Sequence, residues 1–281
     1  MSDQSSNPAP KACIIGHPVK HSRSPKLHGH WLETLKLPGS YGMQDVSPER
    51  IAAFLGNLRG EGFVGANVTV PHKLAALEAV KHADKAARAT GAANTLWYEG
   101  DDLCGANTDV HGFVASLDES ASGWDANPGL AVVLGAGGAS RAIIYGLLQR
   151  GFDIAVVNRT VSAAEAVAAH FGKRVRSSGF ETLPRLLLEA AFLVNTTALG
   201  MIGKPPLEIT LDGLPRDAVV CDAVYVPLET DLLRQARARG NRGVDGLGML
   251  LHQAVPGFAR WFGVTPTVTP ELRRLIEADI G

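Results

Sequence analysis

The chain has too few cysteines for a disulfide framework. Its three, Cys13, Cys104 and Cys221, lie far apart, none sits in a Cys-x-x-Cys, and an odd number cannot all pair. They read as reduced thiols, which points to a cytoplasmic protein. Surplus charge is also missing. Lys and Arg number 27 against 28 Asp and Glu, a formal net charge of −1. No global positive field exists to draw nucleic acid or anionic lipid, so neither is expected as a partner. No apolar run approaches the ~18 residues of a membrane span. Residues 1–10 are polar, rich in Ser and Pro, and lack the apolar stretch of a signal peptide; they read as a flexible tail. The 9 histidines show no metal-ligand spacing and no cysteine joins them, so no metal is expected. Repeats and low-complexity tracts are absent from the sequence.

What is present suits two domains of ordinary size: 281 residues, 46% hydrophobic and 20% charged. Lys11 to Ile15 reads as a buried strand ending at Gly16. Ser24-Pro25 then reads as a helix start, with Ser24 as cap and proline at the first turn. Leu27, Trp31, Leu32 and Leu35 stripe that helix. Tyr41 to Val46 reads as a strand. Ser47-Pro48 repeats the cap signal before the stripe Ile51, Phe54, Leu55, Leu58. Val64 to Val70 is a third strand, stopped by Pro71. Ala93 to Tyr98 and Leu103 to Ala106 flank a turn at Gly100-Asp101, and Thr108-Asp109 opens a helix. The turn-rich stretch 120–129 suggests a domain crossing.

A second series follows: strand 130–134, helix 138–150, strand 153–157, helix 163–171, strands 192–195 and 218–222. Helices over 247–262 and 270–280 close the chain. Arg234, Arg237, Arg239 and Arg242 read as a solvated helix face. Alternation at this spacing predicts α/β architecture built from βαβ units on mainly parallel sheets.

Gly135-Ala136-Gly137-Gly138-Ala139-Ser140 follows an apolar strand and opens a helix. That is the context of a Rossmann-type dinucleotide site. One glycine makes the tight turn, the next lets backbone approach a pyrophosphate, and the helix N-terminus supplies free N–H groups. The third small position is Ser140 rather than Gly. Where NAD-binding domains place an acid for the ribose 2′-hydroxyl, this chain has Asn158-Arg159-Thr160. A carboxylate would repel a 2′-phosphate and a guanidinium would bind it, so NADP is favoured over NAD.

Polar residues also stand where a plain core would want apolar ones. Asn67 and Thr69 alternate with Val68 and Val70, Pro71-His72-Lys73 follows, and Asn94-Thr95 and Asn107-Thr108-Asp109 sit at other strand ends. Ligands of open α/β sheets bind outside the carboxyl ends of strands. The set suits a hydroxylated ligand. If a ketone is reduced there, Lys73 can give the proton and Asp109 can hold the ammonium. Singly, each residue has a plainer role open to it: Asn67 in a strand-end turn, Asp109 as a first-turn helix acid, Lys73 as a solvated lysine.

Taken together, these segments resemble the shikimate dehydrogenase family. The resemblance runs from Ile15 to Trp261 and rests on His21-Ser22-Arg23-Ser24-Pro25, Gly65-Ala66-Asn67-Val68-Thr69-Val70-Pro71-His72-Lys73, Gly91-Ala92-Ala93-Asn94-Thr95, Asn107-Thr108-Asp109, the glycine loop, Asn158-Arg159-Thr160, and Asp245-Gly246-Leu247-Gly248-Met249-Leu250 with Gln253. It implies two α/β domains: an N-terminal mainly parallel substrate domain, residues 11–109 with 247–281, and a Rossmann-type doubly wound NADP domain, residues 110–246. The C-terminal helices would return to the first domain.

The resemblance further implies Lys73 and Asp109 as the catalytic pair. Ser22 and Ser24 would hold the substrate carboxylate. Asn67, Thr69, Asn94 and Gln253 would hold its hydroxyls, and Tyr225 would border it. Gly135, Ala136, Gly137, Gly138, Ala139, Asn158, Arg159, Thr160 and Gly246 would meet the cofactor. The implied reaction is reversible, NADPH-dependent reduction of 3-dehydroshikimate to shikimate, within aromatic amino-acid (chorismate) biosynthesis. The acting form would be a monomer or homodimer. Many members carry a second arginine a few residues after Asn-Arg-Thr, where this chain has Ala163. Thr69 fits the shikimate-type pocket; serine there marks relatives that also take quinate. Two alternatives stand beside this: a quinate/shikimate enzyme using NAD, and a non-catalytic ligand sensor.

Overall fold

Alternating strands and striped helices produce two six-stranded sheets. The computed structural model describes residues 8–280, so residues 1–7 of the expected tail lie outside the described residues. The chain divides into two units, residues 8–108 with Ala254–Leu272, and Asp109–Gln253 with residues 273–280.

The first sheet holds β1 (Lys11–Gly16), β2 (Ser40–Asp45), β3 (Gly65–Val68), β4 (His82–Ala83), β5 (Thr95–Glu99) and β6 (Asp102–Ala106). Their order is β2-β1-β3-β5-β6-β4. β1 runs parallel to β2 and β3, and β4 to β6, while β5 is antiparallel to both of its neighbours. The β5–β6 hairpin turns at Gly100, whose φ of 62° is left-handed.

Strand periodicity gives this sheet two unlike faces. Cys13, Ile15, Ala66, Val68 and Leu96 point to one side and pack with Ile51, Leu55, Leu58, Ala76 and Ala87. By the register, Tyr41, Ala12 and Gly65 form a row on the other side, and Asn67 pairs with Thr95 there. Over that second face lie His28 and Trp31 of the helix Ser24–Thr34, and Phe258 and Trp261 of the helix Gly246–Phe262. Trp261 donates its indole N–H to the Leu96 carbonyl at 2.8 Å. Gly65 is required beneath it, because a Cβ would overlap that indole.

The second sheet holds β7 (Leu130–Leu134), β8 (Asp153–Val157), β9 (Val175–Ser178), β10 (Ala190–Asn195), β11 (Val219–Asp222) and β12 (Arg242–Val244), in the order β12-β11-β10-β7-β8-β9. Every ladder is parallel. Both faces are apolar. Ala131, Val133, Ile154, Val156, Phe192 and Val194 pack one way against Phe113, Leu117, Ile143 and Leu147. Val132, Leu134, Ala155, Val157, Leu193 and Val220 pack the other way against Leu186, Leu187, Leu232 and Leu233. This is the doubly wound, Rossmann-type arrangement, with continuous apolar strands as burial on two sides demands. Among the described residues no helix is long and apolar enough to cross a membrane.

Local expectations differ from the structure in several places. Ser24 does not cap its helix: Arg23 is the N-cap and Ser24 the first helical residue, with no side-chain cap. Ser47 closes a turn onto Arg50, and the helix begins only at Ile51. β3 stops at Val68, so Thr69 and Val70 lie beyond the strand. The short helices Lys73–Ala79 and Lys85–Thr90, and the strands β4, β9 and β12, had no sequence expectation. The arginine cluster is largely exposed yet tied down. Arg234 pairs with Asp231 and Arg237 with Glu229, and Arg242 donates to the Ala121 and Ser122 carbonyls.

Candidate active site

In the first unit the polar residues expected at strand ends form one connected chain. Tyr41 donates its hydroxyl to Asn67 Oδ1 at 2.6 Å. Asn67 Nδ2 donates to the Asn94 carbonyl at 3.3 Å and to Thr95 Oγ1 at 3.1 Å. Thr95 Oγ1 lies 2.8 Å from Thr108 Oγ1. Asn94 Oδ1 accepts from the Thr108 backbone N–H at 2.7 Å and from the Thr108 hydroxyl at 3.0 Å. Asn67, Asn94, Thr95 and Thr108 are all buried. Groups this deep must be hydrogen-bonded to be tolerated, so the chain is rigid by necessity.

Lys73 begins a helix beside this chain. Its carbonyl accepts the Ala93 N–H at 2.9 Å, tying the lysine's backbone to the residue before Asn94. Asn107 locks the same loop from below, donating to Thr90 Oγ1 at 2.8 Å and to the Ala92 carbonyl at 3.1 Å. Thr69 follows β3, held by its N–H on the Ile15 carbonyl at 2.8 Å. A Cβ on Gly16 would come within 2.5 Å of the Thr69 methyl, so the glycine makes room for it. Ser22 Oγ accepts from the Ser24 N–H at 3.3 Å, which sets both serines at the mouth of one helix.

The aromatic side of this floor is unusual. His28 is fully buried, and neither ring nitrogen has a hydrogen-bond partner of normal geometry. Its ring stacks on Tyr41 at 3.9 Å between centroids, nearly parallel at 13°. Burial holds the imidazole down at about 3, with the nearby Asn67 amide opposing, so it is neutral. Burial also pushes the Tyr41 phenol well above its ordinary range, with the Ser24 hydroxyl opposing, so the phenol keeps its proton.

In the second unit the glycine turn stands where strand order reverses between β10 and β7. Gly135 has φ 105°, and its N–H meets the Val157 carbonyl at 2.8 Å. A Cβ there would sit 2.7 Å from Thr196 Oγ1. The helix Gly138–Gln149 has no side-chain cap, Gly137 and Gly138 are exposed, and a Cβ on either would meet nothing. Ala136 and Ala139 are half-buried beside them. Uncapped N–H groups on an open turn fit a dinucleotide pyrophosphate.

At the end of β8, Asn158 Nδ2 donates to the Thr160 carbonyl at 2.9 Å, closing a small turn that leaves Arg159 and Thr160 exposed. A guanidinium with no acid at this position fits a 2′-phosphate. Gly246 heads its helix with no room for a Cβ, which would overlap the Ala223 carbonyl. Gln253 is buried, its Nε2 on the Leu250 carbonyl at 3.1 Å. Tyr225 is half-buried, and Asp109 is buried in the first turn of the helix Thr108–Ser120.

Asn67, Asn94, Thr69, Ser22, Ser24 and Lys73 all belong to the first unit, where Asn67 bonds Asn94 and Ser22 bonds Ser24. Asp109, Tyr225, Gln253, Gly246 and the glycine turn belong to the second. Sequence reasoning missed Tyr41 and His28, whose place is set by β2 register and helix packing rather than by any local motif. Thr95 and Thr108 were visible in motifs, but their bridging role was not.

An uncapped glycine turn on one α/β domain, fit for dinucleotide phosphates, and a buried polar floor with Lys73 heading the next helix on another, are the marks of a two-domain nicotinamide-dependent oxidoreductase. The model of the shikimate dehydrogenase substrate binding domain matches residues 14–96, and that of shikimate / quinate 5-dehydrogenase matches residues 122–202. The chain belongs to the shikimate dehydrogenase family. It is 58% identical to the shikimate dehydrogenase (NADP(+)) of Azorhizobium caulinodans over 271 residues, 96% of each chain. It also resembles the Thermus thermophilus shikimate 5-dehydrogenase solved with NADP(H) and shikimate, with TM-score 0.84 and 35% identity over 96% of this chain and 99% of that one. The quinate dehydrogenase of Corynebacterium glutamicum, solved with NAD, superposes with TM-score 0.87 at 29% identity, covering 97% of this chain and 100% of that one.

Proposed function

We propose that this chain is an NADP-dependent shikimate dehydrogenase, reducing 3-dehydroshikimate to shikimate reversibly on the route to chorismate and the aromatic amino acids. The observation that carries this reading is the buried Asn–Thr chain beside Lys73, in a protein whose relatives bear that activity in their names. Residues 11–109 with 247–281 act as the substrate domain and residues 110–246 as the NADP domain. The protein works in the cytoplasm as a monomer or homodimer.

When bound, the nicotinamide supplies the hydride. The chain's residues do the rest. Ser22 and Ser24 hold the substrate carboxylate. Asn67, Thr69, Asn94 and Gln253 bind ring hydroxyls, and Tyr225 closes the border. The Lys73 ammonium gives its proton to the carbonyl oxygen in the reducing direction, with Asp109 orienting it. Gly135, Ala136, Gly137, Gly138 and Ala139 receive the pyrophosphate. Asn158, Arg159 and Thr160 receive the 2′-phosphate, and Gly246 lies against the cofactor.

The test compares catalytic efficiency for shikimate and quinate with NADP and NAD. Shikimate with NADP is expected to lead, and a lead for quinate with NAD would overturn the reading. Lys73→Ala is expected to lower turnover by about 10²–10⁴, the usual worth of a general acid, with shikimate binding retained in titration. A Lys73→Ala protein of full activity would remove the lysine from the chemistry. A wild-type protein that binds shikimate without turnover would make it a ligand sensor.

A further inference from the structure

We infer that Tyr41 is a positioning residue for substrate recognition: its hydroxyl starts a one-way hydrogen-bond chain that fixes which end of Asn67 and of Asn94 faces the ligand. This rests on the reading of those two asparagines as hydroxyl-binding residues.

A carboxamide has a donor end and an acceptor end, and turning it over changes what it can read. Here both amides are pinned. Asn67 Nδ2 must face the Asn94 carbonyl, which can only accept, 3.3 Å away. That orientation turns Oδ1 to the Tyr41 hydroxyl at 2.6 Å. Asn94 Oδ1 must face the Thr108 N–H, which can only donate, at 2.7 Å. Between these anchors, Asn67 Nδ2 fills the Thr95 oxygen, so the Thr95 proton must go forward, to Thr108 Oγ1 at 2.8 Å or to Asn94 Oδ1 at 3.2 Å. On either path the donors run from Tyr41 toward Asn94 Oδ1.

Tyr41 is suited to begin the chain because its proton is kept and its ring is fixed. Its hydroxyl proton is retained, since burial disfavours the phenolate. Neutral His28 stacks on its ring at 3.9 Å, and Trp261 packs at 5.8 Å. In the row Tyr41–Ala12–Gly65 the two neighbours are small, which leaves the ring room to lie over the sheet toward Asn67. Without the phenol proton, Asn67 Oδ1 loses the Tyr41 donor at 2.6 Å and the amide loses one of its anchors.

The test is Tyr41→Phe, assayed for KM of shikimate, KM of NADP and kcat. Losing one neutral hydrogen bond predicts a shikimate KM about tenfold higher, with kcat and the NADP KM within about twofold. Against shikimate analogues each lacking one ring hydroxyl, the penalty should vanish for the analogue missing the hydroxyl that Asn67 holds. Should Tyr41→Phe fail to fold, Thr95→Val breaks the same chain at its middle and should give the same shikimate-only effect. A folded Tyr41→Phe with unchanged shikimate KM, equal rises for substrate and cofactor, or an equal penalty on every analogue overturns the inference. Loss of activity in Lys73→Ala would meanwhile leave the assignment of function standing.

Discussion

In the second sheet the central strands are apolar on both faces, and polar side chains gather at or just past their carboxyl ends, at Asn195, Thr196 and Asp222. In the first sheet one face is apolar and the other carries a buried polar chain under a roof of aromatic rings. The difference separates two ways of binding. A sheet closed on both sides offers uncapped backbone N–H groups at its glycine turn, which suits phosphates that every dinucleotide shares. A sheet with a polar face offers side chains in fixed orientation, which suits a small molecule told apart by its hydroxyls.

The contrast can be broken where it is sharpest. In the second unit, adding one methyl group should do the most damage. Gly135→Ala combines a left-handed φ of 105° with a clash at Thr196. It should cost about 2–3 kcal/mol of stability and abolish NADP binding, read by thermal melts with and without cofactor. A stable variant with normal NADP affinity would show that the turn is not held by its backbone shape. Next in size is Arg159→Ala. It should raise the NADP KM about 10–100-fold, the worth of a hydrogen-bonded charge, and leave the NAD KM unchanged. Equal changes for both cofactors would deny Arg159 the 2′-phosphate.

The smallest effects per step are in pH, and the two units titrate with opposite signs. His28, in the first, has its pKa lowered from 6.5 to about 3. Its contribution is intact above pH 6.5 and is lost as pH falls toward 3, by about 1.4 kcal/mol per unit. Asp222, in the second, has its pKa raised from 3.8 to about 6, chiefly by burial. The unfolded chain then ionises first, so stability falls by a similar slope as pH rises from 3.8 to 6 and is flat beyond. His28→Phe should flatten the acid limb of a denaturation series, and Asp222→Asn should flatten the limb between pH 3.8 and 6. If either curve keeps its wild-type slope, that residue's burial is not what shapes it.

Much of this contrast was legible in the chain itself, unevenly. The second sheet was plain because continuous apolar strands and a glycine turn are local patterns. Asn67, Asn94 and Lys73 stood out because amides and a lysine interrupt such patterns. Strand β4, of two residues, and the short helices around residues 73–90 were not, since they lack a full period of hydrophobic spacing. The expected cap at Ser24 failed because Arg23 already adopts helical dihedrals, leaving the serine inside the helix. Tyr41 could not be read at all. Its bond to Asn67 spans 26 residues and depends on parallel pairing across β1, a register that no window of sequence contains.

The thiols carry a practical consequence. Cys13 and Cys104 are buried in the first sheet and Cys221 in the second, and burial pushes all three away from the reactive thiolate. An alkylating reagent therefore has to wait for a strand to open. Mass spectrometry of tagged peptides over time would clock the breathing of each sheet separately, in the unaltered protein and without any introduced probe.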